Sequence, residues 1–134
     1  MKTIIAQTEF YKIEVDTTKN RAYLQIIGFW RDYETVKEYP SQWQKAVPLL
    51  EKGFTLLVDL TQMRTTNAQI EELHIEAQKI VKEAGVAMVA EVLSEDFFLA
   101  LQTEMLLQKS GMPANKFNNT EAAEAYLEAF IAKK

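Results

Sequence analysis

The chain has 134 residues, 48% of them hydrophobic and 25% charged, which suits one globular domain with a real core. Its 15 Lys and Arg are scattered among 19 Asp and Glu, for a net charge of −4, so no nucleic acid or other polyphosphate partner is expected. The absence of cysteine excludes disulfides, thiolate catalysis, iron–sulfur clusters and cysteine-based zinc sites, and it fits a reducing cytoplasm.

Residues 1–6 carry one positive charge and only a short apolar run. A secretory core needs ~7–15 apolar residues, and no later stretch approaches the ~20 that span a bilayer. A cytoplasmic protein with no membrane span is expected. In residues 9–15, Tyr11, Ile13 and Val15 alternate with Lys12 and Glu14, a strand with one buried face. Residues 16–20 are polar turn formers, and residues 21–28 make a second strand with Tyr23, Leu24, Ile26 and Ile27, so the two form an antiparallel hairpin.

Asp32 is placed to cap a helical region in which Tyr33, Val36, Trp43, Val47 and Leu50 recur at helical spacing. Pro40 and Pro48 predict that it is broken into short pieces, with Pro40 in a first turn and Gly53 at the end. Residues 54–61, Phe-Thr-Leu-Leu-Val-Asp-Leu-Thr, are apolar without alternation. Such a strand is buried on both faces at the centre of a sheet covered by helices. Its exit loop, residues 62–69, is the natural place for function, because ligands of open α/β sheets bind beyond strand C-termini.

Residues 68–84 form the cleanest helix, with Ile70, Leu73, Ala77, Ile80, Val81 and Ala84 on one face, Asn67 as cap and Gly85 as stop. Residues 86–93 are a second near-continuous apolar strand. Ser94 caps a helix ending near Ser110, residues 116–118 suit a short edge strand, and Thr120 caps a last helix to about residue 132. The fold class is α/β, a single domain with a mostly parallel central sheet and an N-terminal β-hairpin, in the order β-β-α-β-α-β-α-(β)-α.

That order resembles the STAS domain, the SpoIIAA-like fold of bacterial anti-sigma-factor antagonists. The resemblance covers about residues 10–130 and rests on three anchors: Val58-Asp59-Leu60-Thr61, Val86-Ala87-Met88-Val89 after Gly85, and Leu93-Ser94 leading a helix that ends Lys109-Ser110-Gly111-Met112. It implies a non-catalytic protein that acts through protein–protein contact, regulatory in kind. Regulatory members carry an Asp-Ser-Ser-Gly-like motif whose serine is phosphorylated after the central strand. Here the loop reads Thr61-Gln62-Met63-Arg64-Thr65-Thr66-Asn67-Ala68, without serine. Thr65 and Thr66 are the hydroxyls that stand in its place, where helix amides favour an anion, yet Thr66 and Asn67 are better suited to capping the helix. By fold analogy, STAS-like chains without the motif also resemble lipid-carrying CRAL-TRIO domains.

Catalytic candidates are few. His74 is the one histidine, at the margin of the apolar helix face and within reach of Glu71 or Gln78, so it reads as a boundary residue. Asp59 and Glu91 sit inside apolar strands, where a carboxylate must be paired, and both read as structural before functional. No nucleophile elbow, Walker loop or dinucleotide fingerprint occurs. No cofactor, metal or enzymatic activity is expected.

The helix over residues 96–110 is apolar nearly all round, with Phe97, Phe98, Leu101 and Met105 on one side and Leu99, Leu106 and Leu107 on another. The second side is covered either by the chain's own last helix or the loop at Met112-Pro113, or by a partner or second copy. A protein partner or self-association is the leading expectation, with Asp59, Thr61, Arg64, Thr65, Thr66 and Asn67 as the contact loop. The alternative is a small molecule or lipid in a crevice beside that loop, near Trp30 and Trp43.

Overall fold

A computed structural model describes residues 2–63, 68–93 and 114–132. Six strands form one sheet in sequential order: β1 (Lys2–Gln7), β2 (Tyr11–Asp16), β3 (Arg21–Gly28), β4 (Thr55–Met63), β5 (Met88–Val92) and β6 (Ala114–Phe117). The first three make an antiparallel meander, and β3 to β6 pair in parallel. The expected hairpin is present but gains β1 as an outer strand. That strand was not legible locally, because its register against β2, broken by a shift between Ile4 and Ala6, is set by the pairing.

Turn chemistry explains the joints. Thr8 Oγ1 accepts from the amides of Phe10 and Tyr11, closing the turn from β1 to β2. Asn20 adopts φ 52° at the next turn, and its side chain exchanges two hydrogen bonds with the Glu51 backbone, tying the hairpin to the start of β4. Asp32 caps α1 (Tyr33–Val36) by accepting from the Glu34 amide at 3.0 Å. Pro40 stands in the first turn of α2 (Tyr39–Ala46), and Pro48 falls in a single 3-10 turn, Val47–Leu49, so the two prolines do divide the region.

Strand β4 runs two residues beyond its expected end at Thr61. Gln25 pairs with Asp59 but Ile27 with Gln62, so β4 carries one extra residue here. Asp59 Oδ1 accepts from both the amide and the hydroxyl of Thr61, at 2.9 and 2.6 Å, which stabilises the irregularity and lets pairing continue to Met63. Helix α3 (Ala68–Glu83) matches its periodic pattern, and the last helix, α4 (Thr120–Ala132), begins one residue earlier than expected. Its cap is Asn119 and not Thr120: Asn119 Oδ1 accepts from the Ala122 amide at 2.7 Å. The helix read over residues 96–110 lies outside the described residues.

The sheet is buried on both faces at β4. Leu56, Val58 and Leu60 join β2, β3, α2 and α3 in the larger core, whereas Leu57 turns to the other face with Tyr23, Ala90, Val92 and, from α4, Ala123 and Leu127. On that second face, Arg21 is wholly buried. Its Nε donates to Thr55 Oγ1 at 2.9 Å, and its Nη1 contacts Glu124 and Glu128 of α4. Among the described residues, no helix is long and apolar enough to cross a membrane.

Candidate functional site

Between the sheet and α2–α3 lies a cavity of about 40 Å³. Its walls are mostly aliphatic and aromatic, from Leu24, Leu56, Val58, Trp43 and Tyr39, and Met63 closes the end of β4. Three polar side chains interrupt them. His74 and Gln78 come from α3, four residues apart and therefore on one face, and Glu91 comes from β5. Each has a buried atom without a hydrogen-bond partner among the described residues: His74 Nε2, Gln78 Oε1 and Glu91 Oε1.

His74 is only 4% exposed, which corrects its reading as a boundary residue. Its position in the helix was right, but the aromatic cluster under α2 reaches across and covers it. Trp30 stacks on its ring at 4.7 Å, Tyr39 meets it edge-on at 5.8 Å, and Tyr11 packs behind both. Trp30 is itself fixed by its indole N–H, which donates to the Phe10 carbonyl at 2.9 Å. Burial pushes the imidazole pKa down to about 4, so the ring is neutral at pH 7.

Glu91 is 3% exposed, and burial pushes its carboxyl up to about 8, with Lys116 on the neighbouring β6 pulling the other way. At neutral pH it is mainly a carboxylic acid that can both donate and accept. The three polar groups together therefore carry almost no charge. An uncharged histidine, acid and amide can hold a small hydrogen-bonding guest, but they hold no activated nucleophile and no metal set. Among the described residues, no three His, Cys, Asp or Glu side chains gather as metal ligands.

Of the loop residues singled out in the sequence, Asp59 and Thr61 are described and bond each other. Asp59 is on the opposite face of the sheet from His74, beside a shallow polar groove with Lys2, Lys12, Glu14, Gln25 and Thr120. The sheet thus separates the two seeds of an enzymatic reading. Arg64, Thr65, Thr66 and Asn67 lie outside the described residues, as do Leu99, Leu106 and Leu107. Gln78 was named in sequence only as a helix-face neighbour of His74; that both share a cavity with Glu91 of β5 had no signal in spacing along the chain.

No family model matches the chain, and no curated protein matches it in sequence. Solved structures do match. SiaC of Pseudomonas aeruginosa superposes with a TM-score of 0.55 at 15% identity, over 87% of this chain and 99% of that one. An apo structure of the same protein gives 0.55 at 16% identity, over 87% and 98%. An uncharacterised Shewanella loihica protein solved with a SpoIIAA-like fold gives 0.60 at 11% identity, over 91% and 97%. The fold is SpoIIAA-like. The STAS resemblance read from the order of elements and from the end of β4 is therefore a resemblance of architecture, and identities this low carry no activity across.

Proposed function

We propose that this chain is a single-domain, non-catalytic STAS-type protein of the cytoplasm that works by binding a protein partner. The observation that carries the reading is that several chemically capable side chains are engaged in the fold, while the unpartnered atoms of His74, Gln78 and Glu91 face a cavity far smaller than an ordinary ligand pocket. His74 is covered by Trp30, Asp59 is bonded to Thr61, and Arg21 is enclosed by Thr55, Glu124 and Glu128. Binding surface, by contrast, is available. β1 is an outer strand of the sheet, and Ile4 on it is half exposed. An outer strand of this kind can accept an added strand.

In this reading the contact surface includes Asp59, Thr61, Arg64, Thr65, Thr66 and Asn67 after β4, with Leu99, Leu106 and Leu107 as a second apolar contact for a partner or another copy of the chain. The test is affinity capture from the native cell with quantitative mass spectrometry, run beside light scattering of the purified chain. One protein enriched by the wild type and lost with an Arg64→Glu/Thr65→Glu variant that still folds supports the reading. Capture that the variant leaves unchanged, together with a strict monomer, overturns it. Intact-mass analysis of chain purified from those cells decides whether Thr65 or Thr66 carries phosphate.

The cavity favours a second reading, small-molecule binding, in a restricted form. Its volume of about 40 Å³ is far below the roughly 300–1,000 Å³ of ordinary ligand pockets, so an acyl chain does not fit.

A further inference from the structure

We propose that the cavity between α3 and β5 is a hydration site, holding between one and about three water molecules that bridge His74, Gln78 and Glu91. Three independent features converge on it. The first is size: a cavity needs about 10–15 Å³ of such space to admit a water, whose share of liquid volume is about 30 Å³, so about 40 Å³ has room for between one and about three. The second is demand. Three buried polar atoms, His74 Nε2, Gln78 Oε1 and Glu91 Oε1, have no protein partner among the described residues, and all three residues wall the same cavity. Buried polar groups are almost always hydrogen-bonded, to water where the protein offers nothing.

The third is chemical type. Gln78 Oε1 can only accept a hydrogen bond, and a protonated Glu91 both donates and accepts. The neutral imidazole Nε2 does one or the other, depending on its tautomer. A guest serving all three must donate and accept in turn, as water does. A cation is disfavoured because the surrounding walls are aliphatic and aromatic and Glu91 is mainly uncharged at neutral pH. An anion would meet the acceptor oxygen of Gln78. This water would link α3 to β5 of the central sheet, across walls that are otherwise mostly apolar.

The test is water-to-protein magnetisation transfer by NMR on the full labelled chain, with xenon as a second probe. Long-lived waters give cross-peaks to the Gln78 side-chain amide and the His74 ring protons, and xenon, which enters dry apolar cavities, does not bind. A Gln78→Leu/Glu91→Leu variant loses those cross-peaks and takes up xenon. Absence of cross-peaks in the wild type overturns the proposal, as does xenon uptake by the wild type. Cross-peaks that persist in the double variant also overturn it, since the named side chains would not then be holding the water. If the double variant fails to fold, the wild-type measurements decide alone.

Discussion

His74 lies flat against Trp30, with ring centroids 4.7 Å apart and ring planes 23° from parallel. Enclosure among Trp30, Tyr39 and the cavity's apolar walls disfavours a protonated imidazole, which is why its pKa falls from 6.5 to about 4. The unfolded chain therefore takes up the proton first as pH drops. The stability His74 contributes is present above pH 6.5 and is lost between 6.5 and 4, by about 3 kcal/mol at 1.36 kcal/mol per pH unit. His74→Phe keeps an aromatic ring and should abolish this acid-side slope, as read from urea midpoints across a pH series. A slope unchanged from the wild type would refute the assignment.

Glu91 acts with the opposite sign. Its pKa rises from 4.5 to about 8, so the folded state holds a proton that the unfolded chain releases. Its contribution is complete below pH 4.5 and is lost as pH rises to about 8, by about 3–5 kcal/mol. The two groups oppose each other between about pH 4.5 and 6.5, so the wild type should show a plateau there and then weaken toward pH 8. Glu91→Gln should remove the alkaline fall and leave stability rising from pH 4 to 6.5. A wild-type midpoint that increases from pH 6.5 to 8 would contradict this.

Arg21 anchors α4, and the three partners should not be equivalent. Glu124→Ala leaves a wholly buried guanidinium without its main carboxylate and should cost about 3–5 kcal/mol. Arg21→Met should cost less, because the side chains of Glu124 and Glu128, 30% and 53% exposed, can return to water. Glu128→Ala should cost the least of the three, because its side chain is the more exposed carboxylate and exposed pairs contribute little. Denaturant titration of the three variants tests the ranking, and hydrogen exchange should show that α4 loses protection first.

Asp59 offers a separation of structure from binding. Asp59→Ala removes the acceptor that stabilises the extra residue of β4 and should cost about 0.5–1.5 kcal/mol, with amide exchange increasing at Thr61 to Met63. Asp59→Asn keeps an acceptor oxygen and should recover most of the loss. If both variants are as stable as the wild type, the side chain is not holding the strand.

Gly85 should resist substitution. Its φ is +97°, its carbonyl accepts from the Gly53 amide at 2.7 Å, and a Cβ there would stand 2.6 Å from Lys52 Cγ. The lysine side chain can move, but the backbone conformation remains unfavourable for any L-residue. Gly85→Ala should lower stability by about 1–3 kcal/mol in a denaturant melt.

Much of this architecture is written in local pattern. The non-alternating, largely apolar run at residues 54–61 announces a strand buried on both faces, and the structure sends Leu56 and Val58 to one core and Leu57 to the other. The spacing from Ile70 to Val81 announces α3, and Asp32 and Pro40 mark the start and the break of the preceding helices. These features follow from short-range geometry, the periods of helix and strand and the steric demands of caps and prolines, so sequence alone determines them. Tertiary structure decided the rest. β1 exists as a strand because β2 pairs with it. His74 changed from a boundary residue to a buried one because Trp30 and Tyr39 arrive from other elements. Glu91 meets His74 and Gln78 only because parallel pairing carries β5 beneath α3. Burial and charge state depend on what lies across the core from a side chain, and no spacing along the chain measures that distance.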